Sequence, residues 1–185
     1  MNKEKNKIKK EYIILIIIVI AIIMVDQIIK IYVSNTNEIT IIKGVLNLKV
    51  KQNENLDNGD TSNSSTMYVI ANLIIIAIMI KFITRQNSYI DKKFKILLSF
   101  ILAGAISNLI DRMFRGYVIE YIDFSQIINI PAFNIADIFV IIGWVGFAAT
   151  FASFTVKELR ENKINKEVKQ EIEKEKISKK IKNKK

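Results

Sequence analysis

Four stretches of this chain, residues 12–33, 67–83, 94–110 and 133–156, are apolar enough and long enough to cross a lipid bilayer. A helix rises about 1.5 Å per residue, so some 20 residues cross about 30 Å of hydrocarbon. Within that layer a helix satisfies its own backbone hydrogen bonds, which an extended single segment cannot. The expected fold class is an all-α membrane protein with four transmembrane helices and a small extracytoplasmic β-hairpin or loop region. The basic stretch before the first span resembles the start of a secretory signal. The apolar run is too long for that, and no A-x-A cleavage pattern follows, so the span is expected to be retained.

Charge is the second constraint. The chain carries 28 Lys and Arg against 18 Asp and Glu. Residues 1–11 hold five Lys and two Glu, and residues 157–185 hold twelve basic and six acidic groups, which leaves the body between them almost neutral. A neutral, Ile-rich body between two basic tails argues for membrane lipids as partners and against nucleic acid. Lys and Arg gather in the N-terminus, in the 85–95 loop and in the C-terminal tail. Both termini are therefore expected in the cytoplasm, with residues 34–66 and about 111–133 outside. Three parts follow: a cytoplasmic basic N-terminus at 1–11, a membrane domain at 12–156 and a cytoplasmic charged tail at 157–185.

The 34–66 loop has its own pattern. Leu46, Leu48 and Val50 alternate with Asn47, Lys49 and Lys51, a period of two. With Ile39, Ile41 and a turn near Gly44 this predicts a short amphipathic hairpin on the outer leaflet. From Gln52 to Thr66 the composition turns to Asn, Asp, Ser and Gly, the signature of a mobile loop. In the tail, Ile164, Val168 and Ile172 stand four apart. They form a weak apolar stripe, read either as a helix on the inner leaflet or as part of a solvated charged tail.

The chain contains no Cys and no His. This excludes thiol nucleophiles, thiolate metal sites, His-based triads and the HExxH pattern. Acid–base chemistry must rest on carboxylates, Lys, Tyr or water. No cofactor and no metal are expected.

Ionisable groups within spans are costly, and here they gather at one depth. Asp26 and Lys30 lie one turn apart in the outer half of the first span. The third span ends with Asn108, Asp111 and Arg112 on neighbouring positions of one face. The fourth begins with Asn134 and Asp137, three apart. Between them lies the stretch 116–124, with Glu120 and Asp123. Asp26 with Lys30 also fits a structural ion pair, and Asn134 a helix cap. Two carboxylates held close in a poorly solvated site cannot both ionise easily. One then keeps a proton to polarise a carbonyl while the other draws a proton from water, as in aspartic proteases. A carrier using the same acids would place them near the bilayer midplane. A Ser–Lys peptidase built on Ser107 and Lys30 would need that lysine neutral.

These blocks resemble the lipoprotein signal peptidase (signal peptidase II) family of bacterial membrane aspartic peptidases. The matching residues are Asp26-Gln27 with Lys30, then Leu46-Asn47-Leu48 leading to Asn53. Asn108-Leu109-Ile110-Asp111-Arg112 follows, with Gly116 and Val118, and last come Phe133-Asn134-Ile135-Ala136-Asp137 with Gly143. The resemblance covers about residues 12–156. It implies removal of the signal peptide from a prolipoprotein, just before a Cys that carries diacylglyceryl. It places Asp137 on one catalytic aspartate. Where the family has the other, in Gly-x-Val-x-Asp-Phe, this chain has Glu120, and Asp123 is the nearest Asp. Asn53-Glu54-Asn55 replaces the family's Asn-x-Gly. Asn53, Asn108, Asp111, Arg112 and Asn134 carry over as groups that orient acids or substrate, and Asp26 with Lys30 as a structural or substrate-positioning pair. The two departures leave a weakened or non-catalytic paralogue that binds lipidated peptides as the alternative reading.

Overall fold

Long apolar runs rich in Ile and free of Pro make the helices, and lipid-compatible length sets where they cross. In the computed structural model, which describes residues 2–53, 61–84 and 92–182, α1 is Asn2–Ser34, α2 Thr61–Thr84, α3 Lys92–Arg115 and α4 Ile135–Lys182. All four contain segments long and apolar enough to span a membrane. Three strands, β1 (Ile39–Ile42), β2 (Leu46–Asn53) and β3 (Val118–Asp123), form an antiparallel sheet in the order β1-β2-β3.

The expected hairpin is present as β1 and β2. Gly44 turns it with φ of 77°, a conformation that disfavours any residue with a Cβ. The strand that completes the sheet, β3, was not anticipated. Its run Val118-Ile119-Glu120-Tyr121-Ile122-Asp123 lacks clean alternation, because the sheet buries residues of both parities there. Gly116, at φ of 83°, ends α3 by donating its N–H to Arg112 O, and the chain turns directly into β3. Of the loop expected from Gln52 to Thr66, residues 54–60 lie outside the described residues. Asn53 closes β2, and helical backbone begins at Thr61.

The chain divides into two units, Met1–Gly146 and Phe147–Lys185. In the first, α1 and α2 pack on α3, with Leu15, Ile76, Met79, Ile83, Ile101, Leu102 and Leu109 as the apolar core. A second small core joins Val33 to Ile119 and Tyr121, seating the sheet against the end of α1. Gly104 lets α3 meet the first turn of α4: a Cβ there would stand 2.5 Å from Ala136 O. The second unit continues α4 as exposed helix, with ion pairs one turn apart at Lys157–Glu161 and Lys163–Glu167.

Candidate active site

Asp137 stands in the first turn of α4. Asn134 caps that helix by accepting the Asp137 N–H at 2.9 Å, and Asp137 Oδ2 accepts the Asn134 N–H at 3.1 Å. The pair forms a reciprocal capping box. Asp137 Oδ1 accepts from Asn108 Nδ2 at 2.7 Å. Asn108 Oδ1 in turn accepts from Lys30 Nζ and Asn134 Nδ2, each at 3.0 Å, and Asn134 Nδ2 also reaches Ile119 O at 3.2 Å. Three elements thus hold one carboxylate.

Glu120 lies on β3, half-buried, opposite Lys51 of β2. Asn53, diagonal to it across the same strand pair, donates Nδ2 to Glu120 Oε1. Burial holds the Glu120 carboxyl above the usual range. The Asn53 bond opposes that rise, the Asp137 charge adds to it, and Arg112 and Lys51 oppose it more weakly. Glu120 and Asp137 therefore act on each other electrostatically. Arg112, half-buried, lies with Nη1 3.5 Å from Asn108 O and has no ion pair among the described residues.

Asp123 is engaged elsewhere. Lys51 Nζ stands 2.9 Å from its Oδ2, and the Ser125 N–H donates to its Oδ1 at 2.9 Å. Lys51 first, and Ser125 after it, hold its pKa down at about 2.

Behind the two acids lies an ion cluster with no solvent contact. Lys30 Nζ is 2.7 Å from Asp26 Oδ2 and 2.8 Å from Asp111 Oδ2, and all three side chains are 0% exposed. Asp26 also accepts from Ser107 Oγ at 2.7 Å and from the Ala136 N–H at 3.1 Å. Asp111 accepts from Gln27 Nε2 at 2.9 Å, from Arg115 and from the Ile119 N–H at 3.2 Å. The backbone groups it holds are the immediate neighbours of Asp137 and Glu120. The cluster therefore anchors both strand and helix at the residues that present the acids.

Lys30, expected to pair with Asp26 alone, bridges to Asp111 as well. A serine nucleophile at Ser107 finds no support, since that hydroxyl donates to Asp26 and Lys30 is ion-paired. Sequence reasoning passed over Gln27, Arg115, Lys51 and Tyr121 as site residues. Arg115 had a signal, standing one turn after Asp111. Tyr121 had none: its buried hydroxyl accepts the Ile135 N–H at 3.2 Å, and burial keeps it un-ionised by raising its pKa. Among the described residues no acidic group is gathered to hold a metal ion.

The family model for signal peptidase (SPase) II matches residues 18–153, a segment that contains every group described above. The chain belongs to the signal peptidase II family. Signal peptidase II relatives include the lipoprotein signal peptidase of Clostridioides difficile (strain 630), 35% identical over 134 residues, which are 70% of this chain and 88% of that protein. The lipoprotein signal peptidase of Staphylococcus aureus is 29% identical over 159 residues, 83% of this chain and 94% of its own length. A solved bacterial membrane enzyme, determined by the in meso method at 1.9 Å resolution, superposes with a TM-score of 0.68 at 27% identity, covering 74% of this chain and 91% of the other. As a signal peptidase II the chain is an aspartic endopeptidase and a multi-pass bacterial membrane protein.

Proposed function

We propose that this enzyme cleaves prolipoproteins immediately before a diacylglyceryl-modified Cys, using Asp137 and Glu120 as its acid pair. The observation that carries the assignment is the mutual placement of the two. Asp137 is fixed by Asn108 and the α4 cap, and Glu120, clamped by Asn53, feels its charge. Asp123, already neutralised by Lys51, is the weaker claimant. Glu120, whose carboxyl burial holds above the usual range, is the member that keeps the proton.

A water molecule between the acids loses a proton to Asp137 as its oxygen attacks the scissile carbonyl. Glu120 gives its proton to the carbonyl oxygen. The gem-diol intermediate then collapses: one hydroxyl returns its proton to Glu120, the C–N bond breaks, and the departing amine takes the proton from Asp137. Arg112 orients the substrate backbone, and Asn53, Asn108 and Asn134 hold the acids. Asp26, Lys30 and Asp111 set their spacing. The positive-inside pattern supports cytoplasmic termini and a sheet on the outer face, where a lipidated precursor presents its cleavage site. In this reading residues 12–156 form the peptidase, flanked by basic tails at 1–11 and 157–185.

The test is cleavage of a diacylglyceryl-modified prolipoprotein by the purified protein and three variants. Asp137→Asn and Glu120→Gln should abolish turnover, while Asp123→Asn keeps it. Loss with Asp123→Asn and survival with Glu120→Gln would move the second acid to Asp123, and turnover by all three would end the two-acid mechanism.

A further inference from the structure

Between β3 and α4 the chain makes a loop, residues 124–131, whose chemistry the peptidase reaction does not use. Ile127 and Ile128 are 56% and 55% exposed, and Ile130 is 39% exposed. An exposed isoleucine cluster on a water-facing loop is unfavourable. The segment 124–136 contains no charged residue. Part of its backbone is paired locally. The Ser125 N–H donates to Asp123 Oδ1, those of Ile127 and Ile128 to Phe124 O, and that of Ile130 to Ile128 O, while Pro131 has no N–H. Such internal pairing is what backbone needs to leave water. Phe124 stacked on Phe133, with ring centroids 6.0 Å apart, closes the base of the loop.

The helices before and after this segment in the chain also carry exposed apolar residues. The last turn of α3 presents Met113 and Phe114, 60% and 81% exposed, and α4 starts four residues after the loop.

We propose that residues 124–131 form a wedge that inserts Ile127, Ile128 and Ile130 into the bilayer leaflet on the sheet side, at the boundary between headgroups and acyl chains. The exposed polar side chains of Ser125, Gln126 and Asn129 stop it at that depth. The wedge clamps the join between β3 and α4, the elements that carry Glu120 and Asp137, at a constant height relative to lipid. It does not depend on the choice of substrate or of catalytic acids.

Because the chain has no Cys, one substitution creates a unique labelling site. The experiment places an environment-sensitive fluorophore on Ile128→Cys, on Ile127→Cys and, as a water-facing control, on Lys49→Cys, in vesicles of phosphatidylethanolamine and phosphatidylglycerol. The two loop labels should emit to the blue of the control. They should be quenched by lipids bearing a shallow acyl-chain nitroxide, and several-fold less than the control by aqueous iodide. Iodide quenching equal to the control's would overturn the wedge. Shielding from both quenchers would also overturn it, because it would show protein, such as a second copy of the chain, covering the loop. The readout is depth and not turnover, so it is independent of the cleavage assay.

Discussion

Lys30 is the residue on which the buried cluster turns, and Lys30→Met isolates its contribution. Methionine nearly matches the lysine stem in length but removes the cation shared by Asp26 and Asp111, both 0% exposed. Asp111 retains Arg115, whereas Asp26 is left, among the described residues, with the Ser107 hydroxyl and the Ala136 N–H. Removing one partner of a buried ion pair costs about 3–5 kcal/mol, because a charge stays behind without compensation. The bond to Asn108 is lost too, and Asn108 holds Asp137. The folded population in detergent, followed by chemical denaturation, should fall by that amount, and cleavage of a lipidated precursor should fall with it. Pairing the change with Asp26→Asn removes the orphaned anion and should return a large part of the stability. The double variant should therefore be more stable than Lys30→Met alone, a coupling of opposite sign to simple additivity. If Lys30→Met costs less than about 1 kcal/mol, or if adding Asp26→Asn destabilises further, the cluster is not held by this cation and the anchoring argument fails.

Three further outcomes follow from the site. Asp123 is held down at about pKa 2 from an ordinary 3.8, so its pairing with Lys51 stabilises the fold above pH 3.8 and ceases to do so as pH falls toward 2. Asp123→Asn should therefore lower thermal stability at neutral pH and match the parent protein at the acid end, with cleavage retained. Glu120, raised above its ordinary 4.5, must be protonated to act, so the rate should fall as pH rises through that raised value. A pH–rate profile whose basic limb lies below 4.5 would contradict that role. Gly104→Ala drives a methyl to 2.5 Å from Ala136 O and must separate α3 from the turn that carries Asp137. A displacement on the order of 1 Å should cost about 10²-fold in kcat/KM, measurable on protein that still inserts into membranes.

Much of this protein is written in short-range pattern. Hydropathy over some 20 residues marks each span, because a lipid-exposed helix needs only local bonds and apolar side chains. Alternation from Leu46 to Val50 marks the hairpin by the same local logic. The blocks Asn108-x-x-Asp111-Arg112 and Asn134-x-x-Asp137 are also legible, since helical spacing makes each a contiguous polar face. The C-terminal stripe of Ile164 and Val168 admitted both helix and solvated tail, and helix with exposed side chains is what forms. The site residues that escaped notice, Lys51 and Tyr121, carry no local signature: a half-exposed strand lysine and a strand tyrosine look alike in any sheet.

What the linear order of residues determined is the number of spans, the chemistry left open to a chain without His or Cys, and the acids available to perform it. Which acids meet was decided only by folding. The contacts that matter join residues 67 apart (Asn53 to Glu120), 81 apart (Ser107 to Asp26) and 110 apart (Ala136 to Asp26). The unforeseen strand β3 pairs with β2 to bring Glu120 beside Asn53 and turns Asp123 to Lys51. No local rule carries that information, because a strand acquires its register from the partner it finds and a buried charge from the countercharge packed against it.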